Sequence, residues 1–299
     1  MSTVWIADLH SDKKRRVTYG DPSVWNKKPL QLLRQIIKDT KPKRLVLLGD
    51  VFDTAAPDSL SFASFVVEII DVEEVWILEG NHDRPKMEKD YAFQKLNDLP
   101  NVSIAQKNTF NKLFEGCYGI GWCDTQELFE ERVREALRTM KPNDKLCLHC
   151  NWDDWGNEMD NALTPELHKE VKKTGITILA GHEHAYHQEE NFIHLGAIMP
   201  MTIAELGDKY YYHNNDLVKI DHKVGTTEDC DVLLLRDEPN EIIEGKTYYI
   251  KTGKEVSIED VQMEAKDLKV DILSDFVKAA EVAGFNPELL KEFIYDKED

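Results

Sequence analysis

Hydrophobic positions in this chain fall in short runs, each closed by a turn signal. Residues 3–7, 44–48, 75–78, 102–105, 146–148 and 176–180 have this form and predict strands. Between several of them the apolar spacing turns helical: Leu30, Leu33, Ile36 and Ile37 precede the break at Pro42, and Leu128, Phe129, Val133 and Leu137 recur inside a charged segment. Strands alternating with helices predict an α/β domain whose sheets are covered by helices, with the functional crevice beyond the carboxyl ends of the strands. After Ala204 the pattern changes. Residues 210–221 read as a hairpin, an acidic polar stretch follows, and Leu268, Ile272, Leu273, Phe276, Val277 and Ala280 form an apolar helical stripe. Gly284 is a stop signal, and Asn286-Pro287 opens a last short helix. The expected division is a catalytic domain over 1–205 and a small α+β C-terminal region over 206–299, with no fixed-period repeat.

Composition narrows the class. At 299 residues with 41% hydrophobic and 31% charged positions, the chain reads as one sizeable globular domain with an appendage. No apolar stretch approaches the roughly 18 to 20 residues of a membrane span, and the first strand starts at once, so the expected location is the cytoplasm, with no membrane partner. Five cysteines, Cys117, Cys123, Cys147, Cys150 and Cys230, are an odd number that suits reduced thiols better than a disulfide framework. The pair Cys147 and Cys150 flanks His149, but a lone C-x-x-C is poor support for structural zinc.

A net charge of −19 runs against nucleic-acid binding, which normally uses a basic face. The excess is uneven: residues 226–299 hold 20 Asp and Glu against 9 Lys and Arg. Close behind the first strand, Lys13, Lys14, Arg15 and Arg16 form a basic run, which reads either as a solvated loop or as a phosphate contact. Trp152 and Trp155 follow His149 and offer either base stacking or core packing.

The strand ends carry the chemistry. The first leads into Asp8-Leu9-His10, where residues two apart in an extended segment would share a face. The second leads into Gly49-Asp50-Val51-Phe52-Asp53, the third into Gly80-Asn81-His82-Asp83, and later ones into His149 and Gly181-His182-Glu183-His184. Imidazoles and carboxylates delivered to one rim suit a dinuclear site for Mn²⁺, Fe²⁺ or Zn²⁺. Glycines 49, 80 and 181 would leave room there for ion and substrate.

The series DLH, GDVFD, GNHD, a single histidine and GHEH resembles the calcineurin-like metallophosphoesterases. The resemblance implies two β-sheets packed as a sandwich flanked by helices and two divalent ions, with Mn²⁺ first and Fe²⁺ or Zn²⁺ as alternatives. It implies Asp8, His10, Asp50 and His184 around one ion, and Asp50, Asn81, His149 and His182 around the other. It further implies His82 as the catalytic histidine oriented by Asp83, with Asp53 supporting the ligands rather than binding metal.

Finer spelling separates subclasses. Protein Ser/Thr phosphatases carry arginine and glycine after the second motif and glutamate after the asparagine-histidine pair, where this chain has Thr54-Ala55 and Asp83. GDVFDTAAPDS, LPNVSIAQ followed by YGIGW, and GHEH followed by FIHLGAIMPMTIAE are similar to SbcD-type nucleases. That similarity implies DNA exonuclease and endonuclease activity in recombination or repair, with DNA, an SMC-like ATPase subunit and a second copy of the chain as partners. Asp12 stands where those nucleases usually have glycine, and the region after the last motif is short, as in compact phage versions. No G-x-x-x-x-G-K loop occurs, so ATP dependence would come from another chain. The rival readings are a phosphodiesterase or phosphatase of small nucleotides and a non-enzymatic scaffold.

Overall fold

The computed structural model describes residues 2–83, 92–152 and 161–251, all within one compact unit. Its first half builds β1 (Thr3–Ile6), α1 (Pro22–Asn26), α2 (Lys28–Thr40), β2 (Arg44–Leu47), α3 (Ser59–Ile69), β3 (Glu74–Leu78), α4 (Ala92–Leu96) and β4 (Val102–Ala105). The second half builds β5 (Phe110–Phe114), β6 (Cys117–Ile120), α5 (Gln126–Thr139), β7 (Lys145–Cys150), α6 (Pro165–Lys172), β8 (Thr177–His182), β9 (His187–Glu189) and β10 (Phe192–His194). A hairpin, β11 (Tyr210–His213) and β12 (Asp216–Lys219), follows, and then three short strands, β13 (Val224–Gly225), β14 (Val232–Leu235) and β15 (Thr247–Ile250).

Two mixed six-stranded sheets form the body, in the orders β12-β11-β1-β2-β3-β4 and β5-β6-β7-β8-β10-β9; β13-β14-β15 make a small third sheet. In the first sheet β1 to β4 run parallel, and in the second β6, β7, β8 and β10 do. Alternation along each strand then explains the unbroken apolar runs, because both faces are covered. Val4, Ile6, Leu45 and Leu47 enter an outer core with α2 and α3 residues, whereas Trp5, Ala7, Val46 and Leu48 meet Cys147, Leu179 and Ile193 between the sheets. On the far side Leu146, Leu148, Ile178 and Ala180 pack with Phe129 and Val133 of α5 and Leu167 of α6. The layers are therefore helix, sheet, sheet, helix, as expected for this α/β sandwich.

Side-chain caps fix the helix starts. Asp58, Thr125 and Thr164 each accept a backbone N–H in the first turn of α3, α5 and α6. The hairpin placed after residue 205 in the sequence reading is part of the body, since Val4 and Trp5 of β1 pair with His213 and Tyr212 of β11. Strands β5, β9 and β13 to β15 and helices α1, α4 and α6 add to the elements read from sequence. The apolar stripe at 268–280, the helix start at Asn286-Pro287 and most of the acidic tail lie outside the described residues. All five cysteines are buried free thiols, and Cys117 Sγ lies 3.7 Å from Cys147 Sγ. Among the described residues no helix is long and apolar enough to cross a membrane.

The packing sets a contrast measurable by urea unfolding. Leu179→Ala, at a fully buried site between the sheets, is expected to lower stability by about 2–5 kcal/mol. Leu60→Ser, at a side chain 78% exposed on α3, should change it by about 0.5 kcal/mol or less.

Candidate metal centre

Every strand that delivers a candidate ligand does so at its carboxyl end, and at β1, β2 and β8 the backbone there leaves extended geometry. Asp8 (φ 48°), His10 (φ 43°), Asp50 (φ 48°) and His182 (φ 99°) all have positive φ. A non-glycine residue in that region costs about 1–3 kcal/mol and persists only where surrounding contacts hold it. Asp8 and His10 thus converge through two left-handed kinks, not through the strand alternation expected from their spacing. The glycines also act differently from expectation. A Cβ on Gly49 (φ 92°) would strike the His149 ring, one on Gly80 would strike the Asp50 carboxylate, and one on Gly181 would sit 2.7 Å from the Leu48 carbonyl. They make room for the ligand side chains themselves.

Among the described residues the side chains meet in three groups: two, either side of Asp50, that hold the candidate ligands, and one of His10, Asp53 and His82. Ligand atoms of Asp8, His10 and His184 lie within 4.8 Å of one another, as do those of Asp50, His149 and His182. His10 Nε2 is 3.2 Å from His184 Nε2. In the second group Asn81 Oδ1 is 3.0 Å from His149 Nε2 and 3.1 Å from His182 Nδ1. Asp50 stands between, with Oδ1 3.4 Å from His149 Nε2 and Oδ2 3.6 Å from His10 Nε2. The seven candidate ligands are therefore brought together around Asp50.

The donors fit a pair of divalent cations. Asp8, His10, Asp50 and His149 are buried, and Asp8 is pushed above the usual carboxylate range by burial and by the neighbouring Asp50 charge, against the pull of the histidines. A buried set of two carboxylates, an amide oxygen and four imidazole nitrogens gathers metal-donor atoms in one place, and mixed N and O donors suit Mn, Fe or Zn. His149 Nδ1 donates to the Leu48 carbonyl at 2.7 Å, which leaves Nε2 for the centre. Burial lowers its pKa, but Asp50 and then Asp8 outweigh this and bring it up to about 9. Burial and then the nearby His149 push His182 down to about 3.

Two carboxylates brace the first group. Asp53 Oδ1 lies 3.1 Å from His10 Nδ1 and accepts from Lys13 Nζ at 2.7 Å, and these contacts hold Asp53 well below the usual carboxylate range. Asp53 also lies in a group with His10 and His82 whose ligand atoms are within 4.8 Å of one another. The other brace escaped the sequence reading: Glu205 Oε1 is 3.2 Å from His184 Nδ1. Burial opposes its charge, but His184 and the Met201 amide bring Glu205 down to about 2. Its signal was the closing segment MTIAE, whose glutamate no motif had marked. Lys209, also unmarked, is buried and donates Nζ to the His184 carbonyl at 2.6 Å.

One expectation needs correction, and two pairs of alternatives narrow. Asp83 does not orient His82. Its carboxylate is buried and accepts the Phe52 N–H at 3.1 Å and the Gly80 N–H at 3.0 Å, tying two motif loops together. His82 instead has its N–H on Asp50 Oδ1 and its Nδ1 2.9 Å from the Asp53 carbonyl, with the side chain 41% exposed at the rim. Secondly, the basic run is mostly engaged: Lys13 holds Asp53, Lys14 holds Asp58 at 3.0 Å, and Arg15 is buried, leaving Arg16 exposed. Asp12, at the position where glycine was expected, accepts the Asp53 N–H and the Thr54 hydroxyl and shapes this loop. Thirdly, the Trp152 ring packs against His168, His187, Phe192 and His194 rather than standing free for a base. Trp155 lies outside the described residues.

A family model for calcineurin-like phosphoesterases matches residues 1–192. No curated protein sequence matches the chain. Among solved structures, TT1561 of Thermus thermophilus is similar at 14% identity and TM-score 0.47, covering 74% of this chain and 98% of its own. A dimetal phosphatase from Danio rerio is similar at 12% identity and TM-score 0.42, covering 74% and 96%. Pseudomonas putida nuclease MPE is similar at 12% identity and TM-score 0.33, covering 73% and 87%.

Two measurements check this geometry. Gly49→Ala forces a methyl group into the His149 ring, so equilibrium dialysis should show loss of a bound ion per chain, and full Mn²⁺ binding would contradict the packing. Because His149 holds its proton up to about pH 9, a cation entering that group displaces the proton. Apparent Mn²⁺ affinity should therefore rise from pH 7 toward pH 9, by up to about tenfold per unit, with proton release visible as buffer-dependent binding enthalpy.

Proposed function

The chain belongs to the calcineurin-like phosphoesterase family and is a metal-dependent phosphoesterase; from that premise we propose that it hydrolyses phosphodiester bonds in DNA. The observation that supports hydrolysis is the convergence of seven ligand side chains in two groups on either side of Asp50, with His82 at their rim. When bound, a pair of divalent cations supplies the charge that activates water and offsets the charge building on a phosphoryl group. Mn²⁺ is the ion we favour for that set. The protein's own part is positional. Asp50 places one oxygen toward each group, and Asn81 and His149 hold the second group closed. The Asp53 carbonyl accepts a hydrogen bond from His82 Nδ1–H, so His82 Nε2 is the nitrogen that can carry a proton to the departing oxygen.

DNA as substrate rests on the similarity of GDVFDTAAPDS, LPNVSIAQ and the closing segment to SbcD-type nucleases. On the same ground the protein works in recombination or repair beside an SMC-like ATPase, with DNA cut at ends and internally. One observation favours the rival reading, a phosphodiesterase of small nucleotides: Lys13 and Lys14 pair with Asp53 and Asp58, so among the described residues the basic run offers few free cations to follow a phosphate backbone.

The deciding assay incubates the protein and Mn²⁺ with end-labelled duplex DNA and, in parallel, with a cyclic dinucleotide and an activated aryl diester. DNA shortening that Asp50→Asn abolishes supports the nuclease reading, and dinucleotide hydrolysis with intact DNA would replace it. His82→Ala should slow DNA cleavage by about 10²–10⁴-fold and slow the aryl diester far less, because that leaving group departs without a proton. Equal losses on both would remove His82 as proton donor.

A further inference from the structure

Arg15 is a buried guanidinium whose donors are poorly matched. It is 6% exposed, one terminal nitrogen donates to the Lys13 carbonyl at 3.1 Å, and the other reaches only the Met201 thioether at 3.2 Å. Its Nε has no partner, and its nearest aromatic neighbour is Trp25, 5.8 Å from the guanidinium carbon to the ring centre. A buried cation with weak acceptors is a poor source of stability, and an apolar side chain of similar length commonly serves packing as well or better. Packing alone therefore does not account for an arginine at this position.

Its two contacts are better explained by what they anchor. Lys13, gripped through its carbonyl, places its ammonium on Asp53 Oδ1, and Asp53 lies against His10. Met201, gripped through its sulfur, gives its backbone N–H to Glu205 Oε2 at 2.8 Å, and Glu205 lies against His184. The main chain of Arg15 is itself fixed, its N–H on Asn26 Oδ1 at 2.7 Å. One guanidinium thus joins the loop behind β1 to the loop before the hairpin, and each loop bears the carboxylate that aims one histidine of the same ligand group. The charge of Arg15 also faces Asp53, Glu205 and Asp12, against a burial that brings its own pKa down to about 10.

We propose that Arg15 is a positioning residue: it staples these two loops so that Asp53 and Glu205 hold His10 Nε2 and His184 Nε2 on one cation of the Asp8, His10 and His184 group. The assignment rests on the metal-centre reading above. It concerns one ligand group and leaves Asn81, His149 and His182 untouched, and that selectivity separates it from a general structural role.

The test is Mn²⁺ titration calorimetry on the full chain and on Arg15→Met and Arg15→Lys, with urea unfolding of each protein in chelator. Arg15→Met is expected to weaken one of two binding steps by about 10–100-fold while the other stays within about twofold, the size of effect seen when a group supporting a metal ligand is lost. Its urea midpoint in chelator should equal or exceed that of the unaltered protein, because the change removes unmatched buried donors. Arg15→Lys keeps the charge without the two-point grip, so it should weaken the same step by less. Unchanged titration of Arg15→Met would overturn this inference alone. Loss of both steps together with a lower urea midpoint would also overturn it, by making Arg15 structural. No Mn²⁺ binding by the unaltered protein would overturn the metal-centre reading and this inference with it.

Discussion

Asp8 and Asp50 are buried at the ends of neighbouring parallel strands, and each carboxylate raises the energy of the other. Two anions in a low-dielectric interior are tolerated only where positive charge is supplied close by. The arrangement around them answers to that constraint. Imidazoles from His10, His149, His182 and His184 close in, glycines at 49, 80 and 181 remove the methyl groups that would hold them apart, and four ligand residues accept strained backbone geometry. A cation between the groups is the charge this geometry is shaped to receive.

The support differs on the two sides. His10 and His184 lie against carboxylates, Asp53 and Glu205, whereas His149 is held by a backbone carbonyl and by Asn81. Among the described residues, buried Arg15 and Lys209 stand on the first side, Arg15 beside the two bracing loops and Lys209 on the His184 carbonyl. A carboxylate behind a ligating imidazole raises its basicity, and a carbonyl does so less. Each ligand group draws on both sheets, with Asp8, His10, Asp50 and Asn81 behind β1 to β3 and His149, His182 and His184 at the ends of β7 and β8, so the site depends on the packing of Trp5, Val46, Leu179 and their neighbours between the sheets.

The sandwich and most of the site were legible because they rest on local signals. Apolar runs closed by turns located β1 to β4, β7 and β8, and the motif residues at the ends of β1, β2, β3, β7 and β8 are the seven candidate ligands. What escaped depends on contacts distant in sequence. Glu205 and Lys209 approach His184 through chain reversals that no local pattern announces. Asp83 follows His82 directly, yet it turns inward to the Phe52 and Gly80 amides while the histidine turns out. The basic run looked available because sequence shows charge but not pairing, and its lysines are taken by Asp53 and Asp58, each some 40 residues further along. Strands as short as β9 and β13 have too few positions for any period to show.

The central claim is that Asp50 is shared by two cations. The most direct measurement is an anomalous difference map from crystals grown with Mn²⁺. The account predicts two peaks on either side of the Asp50 carboxylate, about 3.5 to 4 Å apart, one beside Asp8, His10 and His184 and the other beside Asn81, His149 and His182. A single peak, or one seated among His10, Asp53 and His82, the third cluster of ligand atoms in the structure, would contradict it.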